Sequence, residues 1–332
     1  MISPPKIPTV KMSNGIELPL FGYGTYQAKD PEELEKALTI ALENGYRLID
    51  TAFVYGNEEI IGNTLQKFYD SGKLKRSEIF ITTKLPPFFH RSGEVEKCLN
   101  EQLKALKTDY IDLYLIHSPC PCKKDPEKPM FYFDSNGMIV EEPIDHLETW
   151  KAMENIYKSK KVCSIGLSNF NEEQIQRICE NAEIQPHNLQ VECHILFPQN
   201  DLFNFCKSKN ITFTAYAPLG SPSRQNFLPD TEWPEGDVLH HSKVIEISKK
   251  YNKTPAQILL RQLVQRGISA IPKSVTPSRI IENIRIFDFE LDSEDFKALE
   301  SIKQHVRLFP MKFRIQHSQY PYKDVLEAEK RK

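Results

Sequence analysis

The chain has little tryptophan, with two in 332 residues, and no long apolar run. No uninterrupted stretch approaches the roughly 20 residues a spanning helix needs. The opening MISPPKIPTV lacks the charged-then-apolar plan of a secretory leader. A soluble chain without a membrane partner is expected. Neither sign of charge is in excess: Lys+Arg 43 against Asp+Glu 45 gives a net charge of -2, which offers no long-range attraction to nucleic acid. Seven cysteines, an odd number without a C-x-x-C pair, fit reduced thiols in the cytoplasm. Cys120 and Cys122 follow His117 closely, yet their one-residue gap around Pro121 suits a tetrahedral metal poorly, and a plain loop is expected. None of the nine histidines forms the H-x-H pair of a metal-dependent barrel hydrolase. No metal is expected.

What is present is alternation. FGYG (21–24) reads as a strand, and DPEELEKALTIALENG (30–45) as a helix with Asp30 as N-cap, Pro31 in the first turn and Asn44-Gly45 as the stop. The pattern repeats through YRLID, EIFITTKL, YIDLYLIH, VCSIGLSNF, NLQVECH, ITFTAYAPLG and GISAIPKS, each followed by a helical run. In this reading SKVIEISKKYN follows the seventh strand and TPSRIIENI the eighth. Eight such units over about 250 residues predict a (β/α)8 TIM barrel in one domain spanning 1–332. A doubly wound sheet would usually carry a glycine-rich fingerprint after its first strand, but GYGTYQ puts Gln27 where the third glycine belongs. Asn14-Gly15 predicts a two-residue N-terminal β-hairpin, about 7–19, covering one end of a barrel over about 20–285. An extra helix in DSEDFKALESI, capped by Asp292, and an irregular C-terminal tail follow, over about 286–332. The tail is long enough to fold over the barrel mouth, and its last residues, EAEKRK, are expected to be solvated. Two long loops, near 118–143 and 217–239, exceed ordinary barrel connections and are candidates for function.

Barrel chemistry belongs at the C-terminal ends of the strands. The second strand ends in Asp50, with Tyr55 in the loop beyond; the third ends in Lys84 and the fourth in His117. Any one of these alone is an ordinary loop or structural residue. Together, on neighbouring strands, they form a constellation in which Lys84 meets the buried Asp50 and stabilises the phenolate of Tyr55. Free tyrosine, with a pKa of about 10, holds its proton too firmly for efficient acid catalysis. A unit charge about 4 Å away, at an effective dielectric of about 20, is worth about 4 kcal/mol, or about three pKa units before desolvation. A neutral His117 can donate to a substrate oxygen. The set suits protonation of an alkoxide formed when hydride reaches a carbonyl.

These motifs resemble those of the aldo-keto reductases over nearly the whole chain to about residue 300: LIDTAFVYGNEE with Asp50 and Tyr55, ITTKL, YIDLYLIHSP, GLSNFN and IPKSVTPSRIIENI. The resemblance implies an NADPH-bound barrel that reduces aldehydes and ketones, with Tyr55 as general acid, Asp50 and Lys84 tuning it, and His117 positioning the carbonyl. It also implies Thr25 in the cofactor site. On residue chemistry alone, Ser168, Asn169 and Gln190 can pair with a carboxamide, and Tyr216 offers a face for stacking a nicotinamide. Leu219 and Ser221 resemble the family's pyrophosphate loop. Lys273, Ser274 and Thr276 precede a helix start marked by Pro277, with Arg279 in its first turn, an arrangement suited to the extra phosphate of NADPH or NADP+. Glu282 and Asn283 resemble residues on the adenine side.

The resemblance departs at the pocket wall. Members with a narrow aromatic pocket have tryptophan where this chain has Tyr26, Pro86 and Ser118. Phe88, Phe89, Phe131, Tyr132 and Phe133 are available instead, either as aromatic surface or as loop packing. His117 stands where members that reduce a steroid carbon-carbon double bond have glutamate, which favours carbonyl reduction. A monomeric cytoplasmic enzyme is the expectation, and a nucleotide-binding structural or regulatory protein with little turnover is the alternative.

Overall fold

The computed structural model describes residues 5–127, 130–226, 233–303 and 305–331. Parts of MISPPKIPTV and of both long loops, and the last residue of EAEKRK, lie outside the described residues. A short antiparallel hairpin, β1 (Thr9–Lys11) and β2 (Glu17–Pro19), comes first. Eight parallel strands follow: β3 (Tyr23–Gly24), β4 (Leu48–Asp50), β5 (Phe80–Leu85), β6 (Leu113–Ile116), β7 (Ile165–Ser168), β8 (Asn188–Glu192), β9 (Thr212–Tyr216) and β10 (Ser269–Ala270). Each strand pairs with its neighbours in chain order. A parallel bridge between Phe21 and Ala270 joins first to last, with Gly22 N–H donating to Ala270 O at 3.0 Å and Ala270 N–H to Leu20 O at 3.1 Å. This is the (β/α)8 barrel expected from the alternation.

Helices follow the strands, and several of them begin at residues whose side chains cap them. They are α1 (Pro31–Glu43), α2 (Glu58–Asp70), α3 (Ser92–Ala105), α4 (His146–Lys158), α5 (Glu172–Asn181) and α6 (Asn200–Ser208). α7 (Ser242–Tyr251), α8 (Pro255–Gln265), α9 (Pro277–Asn283), α10 (Ser293–Glu300) and α11 (Lys323–Lys330) complete the set. Asp30, Asn171 and Asp292 each accept backbone N–H bonds at a helix start, satisfying donors the helix itself leaves open. The strands are buried along nearly their whole length, as a parallel sheet covered by helices requires.

Three expectations are corrected. The hairpin turn is a three-residue loop: Met12 and Ile16 still pair, and Gly15 takes a φ of +88°, the left-handed residue that follows a type I turn in such loops. Asn14, outside the left-handed region, uses its amide to reach Cys163 O and Ser164 Oγ, both at 3.0 Å, pinning the hairpin near the N-terminal end of β7. Second, α7 is followed by α8, which leads into β10. Its signals were Thr254 and Gln257 in a reciprocal capping box and Pro255 at the first turn, and its apolar residues run nearly all round because most of it is buried. Third, the tail is not irregular to its end. α11 is an amphipathic helix whose Val325 packs with Tyr320 and Tyr322, while the described residues of EAEKRK lie mostly exposed on its solvent side, as expected.

The tail crosses the barrel mouth. Leu308 and Phe309 donate their backbone N–H groups to the buried carboxylate of Glu192 at 2.6 and 3.0 Å, and Asn171 Nδ2 donates to Pro321 O at 3.0 Å. His317 Nε2 lies 2.7 Å from Pro121 O, tying the tail to the loop that follows β6.

Candidate active site

At the mouth, Asp50 ends β4 with 3 % of its surface exposed, beside a fully buried Lys84 on β5. A carboxylate so placed is costly unless compensated. Lys84 Nζ donates to Asp50 Oδ1 at 2.7 Å and to Thr51 O at 2.8 Å, and Gln190 Nε2 reaches Asp50 Oδ2 from across the barrel at 2.7 Å. Both carboxylate oxygens are thus satisfied.

Tyr55 closes a 3₁₀ turn, Phe53–Tyr55, which Gly56 ends in the left-handed conformation at φ +66°. Asn57 then braces the loop: its amide donates to Thr25 O at 2.9 Å and Ala28 O at 3.1 Å, and its oxygen accepts from Thr51 Oγ1 at 2.9 Å. The Tyr55 ring lies edge-on to His117 with centroids 5.9 Å apart, and Lys84 Nζ sits 5.2 Å from its centroid. Asp50, Tyr55, Lys84 and His117 therefore meet at one place.

The electrostatics differ from expectation in one respect. Burial first, then the charge of Asp50 and the neighbouring Tyr26, push the Tyr55 phenol well above its ordinary value. Lys84 does not overcome this, because its hydrogen bonds among the described residues go to Asp50 and Thr51 rather than to the phenol. Burial also pulls Lys84 down from the ordinary lysine value, opposed by Asp50 and then Glu58. His117 is held well below 6.5 by burial and by the positive charge of Lys84, so its imidazole is neutral near pH 7.

The residues expected at the cofactor fall into two groups. Those at the strand ends are already knitted together. Thr25 Oγ1 donates to Asp50 O at 2.9 Å. Asn169, at φ +65°, donates through Nδ2 to His117 O at 2.8 Å and Ser168 Oγ at 3.1 Å. Its Oδ1 accepts from Tyr216 Oη at 2.8 Å and from Tyr322 Oη at 3.0 Å. Leu219 and Ser221 lie in the following loop beside Gly220, where φ is +70° and an added Cβ would meet Val238 at 1.9 Å, so only glycine fits.

The second group lies past β10. Lys273 is half-buried and its ammonium is pulled below the ordinary value by burial. Ser274 Oγ accepts from Thr276 N at 3.1 Å, and Thr276 makes no side-chain cap bond at the start of α9. Arg279 is exposed on the first turn; Glu282 accepts from Thr254 Oγ1 at 2.8 Å, and Asn283 is buried. A half-buried ammonium next to open helix N–H groups is chemistry suited to an anion.

Of the three pocket-wall positions, Tyr26 packs against Tyr55 in a tilted arrangement with centroids 5.0 Å apart and is 46 % exposed. Pro86 and Ser118 are buried at the ends of β5 and β6, and Ser118 Oγ accepts from Cys120 N at 3.3 Å. Of the aromatics expected there, Tyr132 and Phe133 are exposed while Phe88 and Phe89 are buried in the core, so the connected ring contacts of Phe53, Phe88, Phe89, Phe131, Phe133 and Phe313 are at least partly packing. Cys120 and Cys122 are buried free thiols, and among the described residues no three His, Cys, Asp or Glu side chains converge to hold a metal. Sequence reasoning missed Asn57, Glu192 and Tyr322. Asn57 had a local signal in the Gly-Asn turn; the other two are defined by contacts with the tail, which no local pattern reveals.

Comparison with known proteins converges on one group. A family model described as the aldo/keto reductase family matches residues 20–304. Aldo-keto reductase family 1 member A1 of Xenopus tropicalis is 41% identical over 294 residues, covering 88% of each chain. The member C23-like protein of Equus caballus is 37% identical, covering 95% of this chain and 97% of its own. Among solved structures, the aldose reductase of Schistosoma japonicum superposes with a TM-score of 0.88 at 42% identity, covering 96% of this chain and 99% of that one. An aldo-keto reductase of the silkworm Bombyx mori, solved in complex with NADPH, gives a TM-score of 0.85 at 36% identity, covering 96% and 94%.

Proposed function

Because the chain belongs to the aldo/keto reductase family, we propose that it reduces aldehydes and ketones to alcohols with NADPH, using Tyr55 as the general acid. The observation that carries this reading is the buried Lys84–Asp50 contact at 2.7 Å beside a protonated Tyr55 and a neutral His117. When bound, NADPH supplies the hydride. His117 donates a hydrogen bond to the carbonyl oxygen and fixes its direction toward Tyr55. Tyr55 then gives its proton to that oxygen, and the phenolate left behind faces the Lys84 ammonium.

The upward shift keeps Tyr55 protonated at rest but makes it a weaker acid, so its transfer of a proton depends on the nearby Lys84 ammonium and on negative charge developing on the substrate oxygen. Ser168, Asn169 and Gln190 hold the carboxamide, Tyr216 stacks on the ring, and Thr25, Leu219 and Ser221 line the path to the phosphates. Lys273, Ser274, Thr276 and Arg279 take the extra phosphate, with Glu282 and Asn283 toward the adenine. Tyr26, Pro86 and Ser118 in place of tryptophans leave a wall that favours bulky apolar carbonyls over sugars, since buried apolar area is rewarded and hydroxyls are not. We place this activity in a single-domain cytoplasmic monomer; among the described residues no helix is long and apolar enough to cross a membrane.

Tyr55→Phe tests the assignment against the low-turnover alternative. With an apolar aldehyde as substrate, kcat should fall by at least about a hundredfold. NADPH affinity, read by fluorescence titration, should change by less than about threefold, because no residue of the phosphate segment has moved. Turnover at the parent rate would mean that the proton comes from another group.

A further inference from the structure

Gln190 and Glu192, two apart on β8, point to the same side of the sheet. Gln190 reaches Asp50, while Glu192 reaches the tail. Glu192 ends its strand with 1 % of its surface exposed and is paired in register with Tyr216, the last residue of β9. Both of its oxygens are taken. Oε1 accepts from Leu308 N–H at 2.6 Å and from His194 Nε2 at 2.9 Å, and Oε2 accepts from Phe309 N–H at 3.0 Å. Two consecutive amides of the tail thus supply much of the compensation that a buried carboxylate needs, and a third, Val306 N–H, donates to Leu196 O at 2.7 Å just beyond β8.

The tail held in this way rests on three parts of the cofactor wall. The Phe309 ring meets Tyr216 edge-on with centroids 6.0 Å apart. Tyr322 Oη donates to Asn169 Oδ1 at 3.0 Å. Leu308 packs on the turn between Leu219 and Ser221, where a Cβ added at Gly220 would lie 3.4 Å from its Cδ1. We propose that Glu192 is a positioning residue for the nicotinamide end of the cofactor site: by fixing the register of the tail at Leu308 and Phe309, it holds the Phe309 ring against Tyr216 and so sets the face on which the nicotinamide stacks. The inference rests on the reductase reading above. Glu192 acts through the tail, since its own oxygens are occupied by protein donors. Linkage then requires that a cofactor which binds better to the docked tail also docks the tail more firmly, by the same factor.

Hydrogen exchange at the Leu308 and Phe309 amides reads this latch directly. In the parent protein, saturating NADPH should slow exchange there by at least about threefold. Glu192→Gln keeps the volume of the side chain but offers one acceptor oxygen in place of two, so a tail N–H loses its partner and exchange should quicken at least about tenfold. NADPH and NADH should both bind at least about threefold more weakly, and by the same factor, because the phosphate segment is untouched. The rate at saturating cofactor and apolar aldehyde should change by less than about threefold, since Asp50, Tyr55, Lys84 and His117 keep their contacts. Phe309→Ala removes the ring and leaves both backbone N–H groups, so it should reproduce the equal loss of the two cofactors while exchange at Leu308 stays within about threefold of the parent. Quickened exchange in Glu192→Gln with parent affinity for both cofactors would reduce Glu192 to a brace for the tail and overturn the proposal. A loss confined to NADPH, or exchange in the parent that NADPH does not slow, would overturn it as well. If Glu192→Gln does not fold, Phe309→Ala binding both cofactors at parent affinity overturns it equally. Failure of the reductase reading is seen separately, as full activity in Tyr55→Phe, to which the exchange measurement is blind.

Discussion

The buried wall at the barrel mouth and the exposed segment after β10 both carry lysine, yet they use it differently. Lys84 is fully buried, with fixed partners in Asp50 and Thr51. Lys273 is half-buried, and Arg279, six residues further along, is exposed. In the wall, each charge is spent on another protein group before any ligand arrives, so geometry is preorganised and a substitution strikes chemistry and folding together. On the segment, charge is held open, and a substitution should strike affinity alone. Under the proposed function, the comparison separates catalysis in the wall from cofactor binding on the segment.

The largest break in that contrast is expected from Lys84→Met. The thioether fills similar space but leaves Asp50 with Gln190 Nε2 as its remaining donor. Breaking a buried pair from one side typically costs about 3 to 5 kcal/mol. Thermal unfolding should show that loss, and kcat should fall at least about a hundredfold with the ammonium gone from beside Tyr55. If the variant were as stable as the parent, the wall would not be preorganised by this pair.

Arg279→Ala should act in the opposite manner. A charge-assisted contact to phosphate contributes roughly 1.5 to 3 kcal/mol, so NADPH should bind roughly ten- to a hundredfold more weakly, with NADH changing less than about threefold. Stability should hardly move, since the side chain is exposed. Equal losses for the two cofactors in fluorescence titrations would remove Arg279 from the phosphate site.

This contrast also marks what the sequence could reveal. Asp50, Lys84 and His117 were legible because a polar residue ending an apolar strand is conspicuous and barrel topology brings consecutive strand ends together. The meeting of Lys84 with Asp50 followed from adjacency. The phenol's direction of shift did not, because it depends on how deeply Tyr55 is buried and on which group claims the ammonium. The α8 helix is legible in Thr254, Pro255 and Gln257, but one helix per strand leaves no place for it once SKVIEISKKYN supplies the seventh. Tyr322 and Glu192 could not be read locally: their partners lie 153 and 116 residues away in the chain.

Tyr322→Phe sharpens the boundary between wall and rim with the smallest expected effect. Tyr322 reaches the mouth from the tail, and its hydroxyl shares Asn169 Oδ1 with Tyr216 Oη. Because both phenols donate to the oxygen, the Asn169 amide is oriented with Nδ2 toward His117 O and Ser168 Oγ. Removing one hydroxyl leaves Tyr216 in place, and the phenylalanine ring keeps its position under Arg307, whose guanidinium carbon lies 3.8 Å from the ring centroid. One hydrogen bond of about 0.5 to 1.5 kcal/mol is therefore at stake. Through Asn169 it should appear as a two- to tenfold weaker NADPH affinity, roughly the factor that free energy implies, with a small drop in unfolding temperature and little change in the rate at saturating cofactor. A loss of rate comparable to that of Lys84→Met would place the tail inside the catalytic wall, and the division between preorganised chemistry and open binding would have to be drawn further along the chain.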